Sequence, residues 1–430
     1  MFAKVTVEIE GREVGSIRQE FVGTASEIEE QVRVVLQRTG RVLLESAFQE
    51  VADQTAAPSC CGHRMKNQGL RPVWVMTTCG SVLVSRRRYR CERCDRELYP
   101  ADTNLCCGCH RLTQPLAKRV CQLATIEHFP RLPSLLADQH GITLSHETIL
   151  KLVHDVGTVA DQRRRAEAQR STQRRVGPPA EQAAPSTLYV SCDGIMYCTN
   201  RTEPDPDHPG ERRLIWEQMK VGCVYWQDAN EDWHKQMVWG RESPELFGAS
   251  LWRLACQCGY EQAREKIFAA DGGSWCWDIH ARHFSDATGI LDWYHASEHV
   301  WDTAKIVSND KTLWAHSALD QMHEDGGQGL LAWLRLQRPK CRGKRRAAID
   351  ELINYAATKV ELMNYPQYRE HDWQIGTGMI ESTCKQLVGQ RLKGSGMHWT
   401  ERGALAVTAL RATDFNGKWN SFWNPFALSI

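Results

Sequence analysis

Apolar and polar positions divide this chain into segments of different periodicity. Residues 1–57 begin with the alternation MFAKVTVEIEGREV and continue as SEIEEQVRVVLQRTGRVLLESAFQEVA, in which apolar residues recur at helical spacing. The pattern predicts a strand or two followed by a helix. This N-terminal helical region has two equally good interpretations, a docking or dimerisation element or a segment with only a structural role. From residue 58 to 110 the stretch VWVMTTCGSVLVSRRRYRC alternates again and predicts a β-hairpin.

Residues 111–160 are predicted to be helical. The segment LPSLLADQHGITLSHETILKLVHDVG places Gly141 between two short helices, and Ser145 with Glu147 begins the second. Two short helices separated by a glycine predict a helix-turn-helix that binds DNA. An αα-hairpin that only packs within the protein is the alternative, because it has the same pattern. Residues 161–186 are polar, basic and rich in proline and glycine, so we expect a basic linker and the main domain boundary here.

The pattern after residue 186 is that of an α/β domain. Three strands are predicted first, LYVSCDGIMY, WEQMKVGCVYW and HKQMVWGRE, and then a helix from about Pro244 to Ala263. Two shorter strands follow, KIFAADGG and the start of TGILDWYHASEHVW, and the second runs into a helix. Three antiparallel strands followed by alternating helices and strands is the order of an RNase H-like sheet. We therefore expect an α+β multidomain protein with an RNase H-like core.

Composition places the chain among globular proteins. It has 430 residues, of which 42% are hydrophobic and 24% charged, so two to four domains are expected. No apolar run approaches the length of a transmembrane helix, and the N-terminus has no basic segment followed by an apolar one. We expect a cytoplasmic protein, with no membrane partner. Its 17 cysteines then indicate reduced thiols or a metal site and not a disulfide framework.

Charge is distributed unevenly although the net charge is only +1. Local basic stripes, and not net charge, set the affinity for phosphates. Each stripe alone is equally well explained as a solvated face, but three in one chain favour double-stranded DNA as the partner. The three basic clusters are Arg86, Arg87, Arg88, Arg90 and Arg93; Arg163, Arg164, Arg165, Arg170, Arg174 and Arg175; and Arg338, Lys340, Arg342, Lys344, Arg345 and Arg346.

A cysteine pair lies at each end of the predicted hairpin, which is how a zinc ribbon closes a tetrahedral site. The second pair, Cys91 and Cys94, has the usual spacing, whereas in the first Cys60 and Cys61 are adjacent and His63 follows. We expect Cys60, His63, Cys91 and Cys94 to bind Zn²⁺, with Cys61 able to replace either member of the first pair. A hairpin with reduced cysteines is the alternative. A further group from Cys106 to His110 could compete as ligands.

Three acidic residues occupy positions suited to phosphodiester chemistry. Asp193 lies within the first strand, Asp271 ends a later strand, and Glu381 lies on a helix, one turn before Lys385. Cleavage by two metal ions requires carboxylates that converge on cations about 3.5–4 Å apart, and Mg²⁺ or Mn²⁺ prefers such oxygen ligands. Each residue alone has a simpler explanation, because an Asp-Gly pair is usually a turn. Their order and strand contexts favour the metal site.

Two further residues follow the last strand. Asp292 could cap the end of that strand, and His295 could be a buried core histidine.

The stretches ILDWYHASEHVW, DGGSWCWDI and GMIESTCKQLVGQRLKGSGMHWTERGALAVTALRA resemble the ISKra group of bacterial insertion-sequence transposases, which is related to the Mutator-like DDE transposases. The resemblance covers most of the chain from about residue 58. It implies a DDE triad of Asp193, Asp271 and Glu381, and a helper role for Asp292 and His295. It also implies a helical insertion at about 300–368 between the two parts of the catalytic domain, 187–299 and 369–430. The first half of the ribbon departs from the group, because position 58 is Pro where a regular Cys-x-x-Cys is usual.

These expectations describe a DDE transposase that acts as a homo-oligomer on DNA. Water would cleave a phosphodiester at the end of the mobile element, and the freed 3′-hydroxyl would attack target DNA. A nuclease of the same fold that does not transpose, or a non-catalytic DNA-binding protein derived from a transposase, is the alternative. The residues expected to contact DNA are Arg163, Arg164, Arg165, Arg174, Arg175, Lys385, Arg391 and Lys393.

Overall fold

The computed structural model describes residues 1–106, 110–171 and 185–424, without the side chains of 168–171. By its contacts the chain divides into two compact units. One contains residues 1–159 together with 418–430, and the other contains residues 160–417. Residues 172–184, which are half of the expected linker and include Arg174 and Arg175, lie outside the described residues, as do Cys107 and Cys109.

The first unit combines short antiparallel strands with helices. Its strands are β1 (Phe2–Ile9), β2 (Arg12–Glu20), β3 (Ser59–Cys60), β4 (His63–Arg64), β5 (Lys66–Thr77), β6 (Gly80–Arg90) and β7 (Glu97–Leu98). Its helices are α1 (Ala25–Gln54), α2 (Asp102–Leu105), α3 (Gln114–Ile126), α4 (Leu132–His140) and α5 (His146–Ser171), which runs on into the second unit, with a 3-10 turn at Phe129–Arg131 and, from the C-terminal segment, α15 (Trp419–Phe422).

Local chemistry fixes where the helices of this unit begin and end. Helix α1 begins with a capping box, because Thr24 accepts from the Glu27 N–H while the Glu27 side chain accepts from the Thr24 N–H. Helix α4 ends at Gly141, whose φ of 61° is accessible to glycine at little cost. The predicted strands, the long helix, the hairpin and the two helices around Gly141 are confirmed. That α4 and α5 form a DNA-binding helix-turn-helix stays a prediction.

The second unit is built on one mixed sheet. Its strands are β8 (Thr187–Pro204), β9 (Arg212–Gln227), β10 (Trp233–Gly240), β11 (Glu265–Ala270) and β12 (Thr288–Leu291). They lie in the order β10-β9-β8-β11-β12, with β8, β9 and β10 antiparallel and β11 and β12 parallel to β8. The predicted strand sequence and its three-strand antiparallel start are confirmed. The helices are α6 (Pro244–Gln257), α7 (Ser274–His283), α8 (Trp293–Val307), α9 (Lys311–Gln337), α10 (Gly343–Lys359), α11 (Tyr365–Glu370), α12 (Gly378–Cys384), α13 (Gln390–Leu392) and α14 (Glu401–Phe415).

Side-chain alternation gives the sheet two different faces. Alternate residues of β8, Val190 and Cys192 among them, pack with α6 and α7 in a core that includes Phe247 and Cys276. The alternating residues of the other set, which include Asp193, therefore lie on the opposite face. This alternation decides which β8 side chains can take part in a site.

Between β12 and α12 the chain is helical, as the implied insertion requires. Helix α9 is broken at Gly326, where φ is 62° and ψ −151°. A Cβ there would lie 2.4 Å from the Met363 carbonyl oxygen, so only glycine fits. None of the described helices combines the length and the apolar character that a membrane span requires.

Candidate active site and metal centres

Strand register brings the two aspartates to one level of the sheet. Ser191 pairs with Ala269 across β8 and β11, and Asp193 and Asp271 each follow their pair by two residues. Because the strands are parallel and about 4.8 Å apart, the two residues occupy neighbouring positions at the same edge. The backbone N–H of Gly194 donates to Asp193 Oδ1 at 2.6 Å, and that of Gly273 donates to Asp271 Oδ1 at 3.0 Å. Each carboxylate is held by a backbone N–H just after it in the chain, within strand β8 for Asp193 and in the loop after β11 for Asp271.

Helix α12 carries Glu381 to the same edge. Cys384 lies one turn after Glu381, and its Sγ is 3.9 Å from Asp193 Oδ2. Residues three apart share a helix face, so Glu381 lies on the same face of α12 as Cys384, which contacts Asp193. The helix continues through a π-helical turn at Lys385–Gly389 into α13, a distortion that is common near functional sites.

The electrostatics of Asp193 reflect this arrangement. Burial raises the pKa of Asp193, and the negative charges of Asp271 and Glu381 raise it further, while the Gly194 N–H and the Cys384 thiol lower it. No ion pair to any of the three carboxylates exists within the described ranges. Three acidic groups in mutual repulsion and without a cationic partner are a donor set that suits a divalent cation.

The three carboxylates do not form a compact cluster of ligand atoms in this structure. Among the residues that the structure describes, the cysteine cluster below is the group whose candidate ligand atoms all lie within 4.8 Å of one another. The charges of Asp271 and Glu381 are close enough to raise the pKa of Asp193, but among the described residues the three carboxylates do not form such a cluster. Their role as a metal-binding triad remains a prediction.

Asp292 has a different role from the one expected. It is 2% exposed, and its Oδ1 accepts the N–H groups of Tyr294 and His295 as the N-cap of α8. Its Oδ2 accepts both the N–H (2.7 Å) and the hydroxyl of Thr377. Thr377 Oγ1 also lies 3.4 Å from Glu381 Oε1. The prediction that Asp292 is catalytic is corrected, because hydrogen bonds within the fold occupy both its oxygens.

Sequence reasoning did not find Thr377. Its position immediately before Gly378 and Glu381 is a helix start, but the pattern shows no partner for its hydroxyl.

His295 lies beside the loop that follows Asp271. A Cβ added at Gly272 would be 2.9 Å from His295 Nε2, so glycine is needed for the two to approach. The His295 ring contacts that of His299 edge-on, with centroids 5.0 Å apart. His295 is half-buried next to the carboxylates, where its predicted helper role stays untested.

The ribbon cysteines form the tightest cluster. The candidate sulfur ligands of Cys60, Cys61, Cys91 and Cys94 lie within 4.8 Å of one another. The Cys60 Sγ is 3.8 Å from that of Cys61 and 3.6 Å from that of Cys94. Tetrahedral coordination at a Zn–S length of about 2.3 Å places sulfurs about 3.8 Å apart. This four-cysteine cluster could therefore hold zinc.

The expected ligand His63 is corrected, since Cys61 takes its place. Adjacent residues in a regular strand point to opposite faces, but Cys61 has a φ of 53° and Gly62 one of 79°. This turn breaks the alternation and lets Cys60 and Cys61 face the same centre. The exposed His63 instead lies on β4, opposite Cys60 in register.

The thiols of this four-cysteine cluster differ in acidity. The backbone N–H groups of Cys94 and Arg93 lower the pKa of Cys91 to about 7, and hydrogen bonds with Cys94 and Cys91 raise the pKa of Cys60 to about 12. Such N–H donors to sulfur favour a thiolate ligand. Of the competing group, Cys106 has a pKa raised to about 11 by burial, and His110 bonds Asp155 at 3.0 Å.

Two of the three basic clusters are largely structural. In the first, Arg86 is buried against Asp102, while Arg88 and Arg90 pair with acidic residues of the same ribbon. In the second, Arg164 has a side chain only 9% exposed, pairs with Asp161 and Glu242 at 3.0 and 2.7 Å, and lies over the Trp239 ring. The prediction that Arg164 contacts DNA is corrected, because its donors serve the fold.

The flanking arginines of the second cluster differ from Arg164. Arg165 is half-exposed and pairs with Asp161 at 2.7 Å, and partial burial lowers the pKa of Arg163.

Burial also corrects one residue of the C-terminal part. Arg391 is 1% exposed and lies 5.0 Å above the Trp399 ring, so it cannot reach DNA phosphates in this structure. Lys385 and Lys393 are exposed, as their predicted role requires.

The third cluster is the most accessible. Arg338 pairs with Asp350, but the rest lie exposed around the start of α10, and within the described part of the chain they form no ion pair. These are Lys340, Arg342, Lys344, Arg345 and Arg346.

Comparisons with known proteins add little. The sequence matches no known family profile and no curated protein. Among solved structures the chain is similar to the Drosophila P element transposase in its strand transfer complex, at 11% sequence identity over 73% of this chain and 81% of that one, with a TM-score of 0.28. A likeness this weak supports neither a fold nor a function, so the resemblance to the ISKra group remains a prediction.

Proposed function

We propose that this chain is a DDE transposase of a bacterial insertion sequence, with an RNase H-like catalytic core that cuts DNA and joins it to a target. The observation that carries the proposal is the pairing of Ser191 with Ala269. It sets Asp193 and Asp271 at one level of neighbouring parallel strands, beside the helix that carries Glu381. The strand order β10-β9-β8-β11-β12 is that expected of an RNase H-like sheet.

Asp193, Asp271 and Glu381 would hold two Mg²⁺ or Mn²⁺ ions, which supply the Lewis acidity for phosphodiester cleavage when bound. The chain's own part is positional. The backbone N–H groups of Gly194 and Gly273 orient Asp193 and Asp271, and the Asp292–Thr377 pair orients Glu381. His295, beside Gly272, is suited to assist at the same edge.

DNA would be bound by positively charged side chains that lie outside the carboxylate site. We assign the main backbone contact to the exposed members of the third basic cluster, with Lys385 and Lys393 nearer the site. The ribbon and the helices around Gly141 are further candidates for recognising the ends of the mobile element. We expect the active form to be a homo-oligomer on that DNA.

Cleavage of DNA that carries the ends of the mobile element tests the proposal. The wild-type chain should cut it in Mg²⁺ and join the freed 3′-end to a second duplex, and Asp193→Asn should bind the same DNA but not cut it. Cutting by Asp193→Asn would contradict the proposal. Cutting without joining would instead indicate a nuclease of the same fold that does not transpose, and binding alone by the wild type a non-catalytic DNA-binding protein.

The source of DNA affinity is tested by neutralising Lys344, Arg345 and Arg346 together. The salt dependence of DNA binding should flatten by about 0.9 per lost phosphate contact. Arg164→Ala is the contrasting variant, because we expect its loss to lower stability and leave the salt slope unchanged. An unchanged slope in the triple variant would place the contact elsewhere.

A further inference from the structure

A surface groove of the first unit combines two arginines with uncharged polar groups. It has a volume of about 410 Å³ and lies between helix α1, the turn that joins β5 to β6, and the turn that joins α4 to α5. The residues that line it all belong to residues 1–159, so the groove lies within one compact unit. Its polar lining consists of Gln37, Arg38 and Arg41 of α1, Cys79 and Ser81 of the hairpin, and Thr143 after α4.

Close contacts hold the three walls of the groove together. The side chain of Gln37 donates from Nε2 to the carbonyl oxygens of His140 and Gly141, at 2.9 and 3.2 Å. A Cβ added at Gly40 would lie 2.7 Å from Cys79 Sγ, so a glycine lets α1 approach the β5–β6 turn this closely. The fold therefore forms the groove without a ligand, and binding has little ordering entropy to overcome.

The groove carries positive charge. Arg38 and Arg41 are exposed, and none of the described residues that line the groove is acidic. Residues three apart lie on one face of a helix with their Cβ atoms about 5–6 Å apart, where two like charges repel. A single exposed arginine is satisfied by water, so it is the convergence of two on one preformed groove that indicates an anionic ligand.

The chemistry and the place of the groove favour a DNA phosphate as that anion. A planar guanidinium donates two parallel hydrogen bonds to a phosphate, and a threonine hydroxyl such as that of Thr143 is a further phosphate donor. The groove borders the turn between α4 and α5, the two helices predicted to form a helix-turn-helix. When such a motif docks, its second helix enters the major groove and its first crosses the sugar-phosphate backbone, so phosphates lie beside the motif.

We propose that this groove binds a backbone phosphate of duplex DNA between Arg38 and Arg41, and so fixes how α4 and α5 are placed on the DNA. The inference rests on the proposed function in one respect, which is that the ligand is DNA. Phosphate contacts set register and orientation but do not read sequence. The groove should therefore contribute affinity for every sequence, in addition to the contact assigned to the third basic cluster.

Arg38→Gln and Arg41→Gln test the proposal, and Arg33→Gln is the matched control. Each change removes one positive charge from α1, but Arg33 lies outside the groove and pairs with Glu30 at 2.7 Å. The probe is a labelled duplex that carries the DNA flanking the gene, titrated with the full chain at several salt concentrations. We expect each groove variant to make the slope of log affinity against log salt shallower by about 0.9, and the control to keep the wild-type slope. Melting temperatures should stay at the wild-type value, because exposed charges contribute little to stability.

A conservative change and a second ligand sharpen the test. Arg41→Lys keeps the charge but loses the planar fork, so the salt slope should stay near that of the wild type while affinity falls. Inorganic phosphate is the second probe. If it raises the melting temperature of the wild type but not of Arg41→Gln, while all DNA slopes are equal, the groove binds free phosphate and the DNA assignment is overturned.

The outcomes separate the inference from the proposed function. Wild-type slopes in both groove variants would overturn the inference, and so would an equal flattening in Arg33→Gln, which would indicate only the general field of α1. In either case DNA cleavage by the wild type but not by Asp193→Asn would leave the proposed function standing. If the groove variants behave as expected and the wild type does not cut DNA, the groove is a DNA contact and the proposed catalytic function fails. If the wild type does not bind DNA, both fail.

Discussion

The four-cysteine cluster and the carboxylate edge are both candidate cation sites, but they are built in opposite ways. The four sulfurs lie on two short turns at the ends of a hairpin, already within 4.8 Å of one another. The three carboxylates lie on a central strand, directly after its neighbour and on a helix of a large core, and among the described residues they do not form a cluster of that kind. The cysteines lie on short turns with little surrounding structure to hold them in place. The carboxylates, in contrast, are held by a large core although their negative charges repel one another.

This difference indicates what each cation would do. The core around the cysteines is small, with Met65, Tyr89 and Cys91 as its buried members, so a bound ion would supply much of its stability. The apo fold disfavours the ionised form of Asp193, because burial and then the charges of Asp271 and Glu381 raise its pKa. Removing a ligand should therefore have opposite effects on stability in the two regions.

The largest expected effect is at the four-cysteine cluster. Cys94 is exposed, so Cys94→Ser removes a ligand without disturbing the core. We expect about one zinc per wild-type chain and loss of it in the variant, with protease sensitivity appearing between residues 58 and 98, because the ion supplies folding energy there. Metal analysis and limited proteolysis measure both.

Cys106→Ser is the control for this change, since Cys106 lies outside the four-cysteine cluster. Zinc-free wild-type protein with an intact, protease-resistant ribbon would show that the hairpin stands without a metal.

The next effect concerns how the fold positions a ligand at the carboxylate edge. Thr377→Val keeps the shape of the residue but removes the hydroxyl shared between Asp292 and Glu381. With Glu381 freer to move, we expect the cleavage rate to fall about tenfold, since small displacements of catalytic groups are costly. Thr383→Val on the same helix is matched to it, because that hydroxyl bonds only back to Met379 and to Cys223. Equal rates in the two variants would exclude a positioning role for Thr377.

The sequence predicted the sheet well because its signals are local. Alternation marked β8, and the apolar run before Asp271 marked β11, so two carboxylates were placed on the correct strands. The resemblance supplied the helical insertion. The pairing of β8 with β11 and the contact of Cys384 with Asp193 join residues far apart in the sequence, and no short segment predicts them. The convergence of the three carboxylates at one edge could therefore only be hypothesised.

The errors share a physical cause, which is that charge in a sequence carries no information about burial. Arg164 and Arg391 were assigned to DNA by their surroundings in the chain, but Glu242, distant in sequence, pairs with Arg164, and Arg391 is buried against the nearby Trp399 ring. Asp292 was assigned to catalysis although it caps a helix, and His63 to zinc because the positive φ of Cys61 was not foreseen.

The smallest expected effect gives the sharpest contrast with Cys94→Ser. The raised pKa of Asp193 means that the folded apo protein disfavours its ionised form. Such a group contributes stability below its unfolded pKa of about 3.9, and this stability is lost as the pH rises through the higher folded value. At pH 7 the ionised form of Asp193 is therefore disfavoured in the apo protein, and Asp193→Asn should raise the melting temperature measured without Mg²⁺. The gain should vanish as the pH falls to the carboxyl range, where the wild-type residue is also neutral. Mg²⁺ should stabilise the wild type and not the variant. Calorimetry at pH 4 and pH 7, with and without Mg²⁺, measures all of these changes. A lower melting temperature for Asp193→Asn at pH 7 would show that both regions depend on their ligands for stability, and the contrast between them would fail.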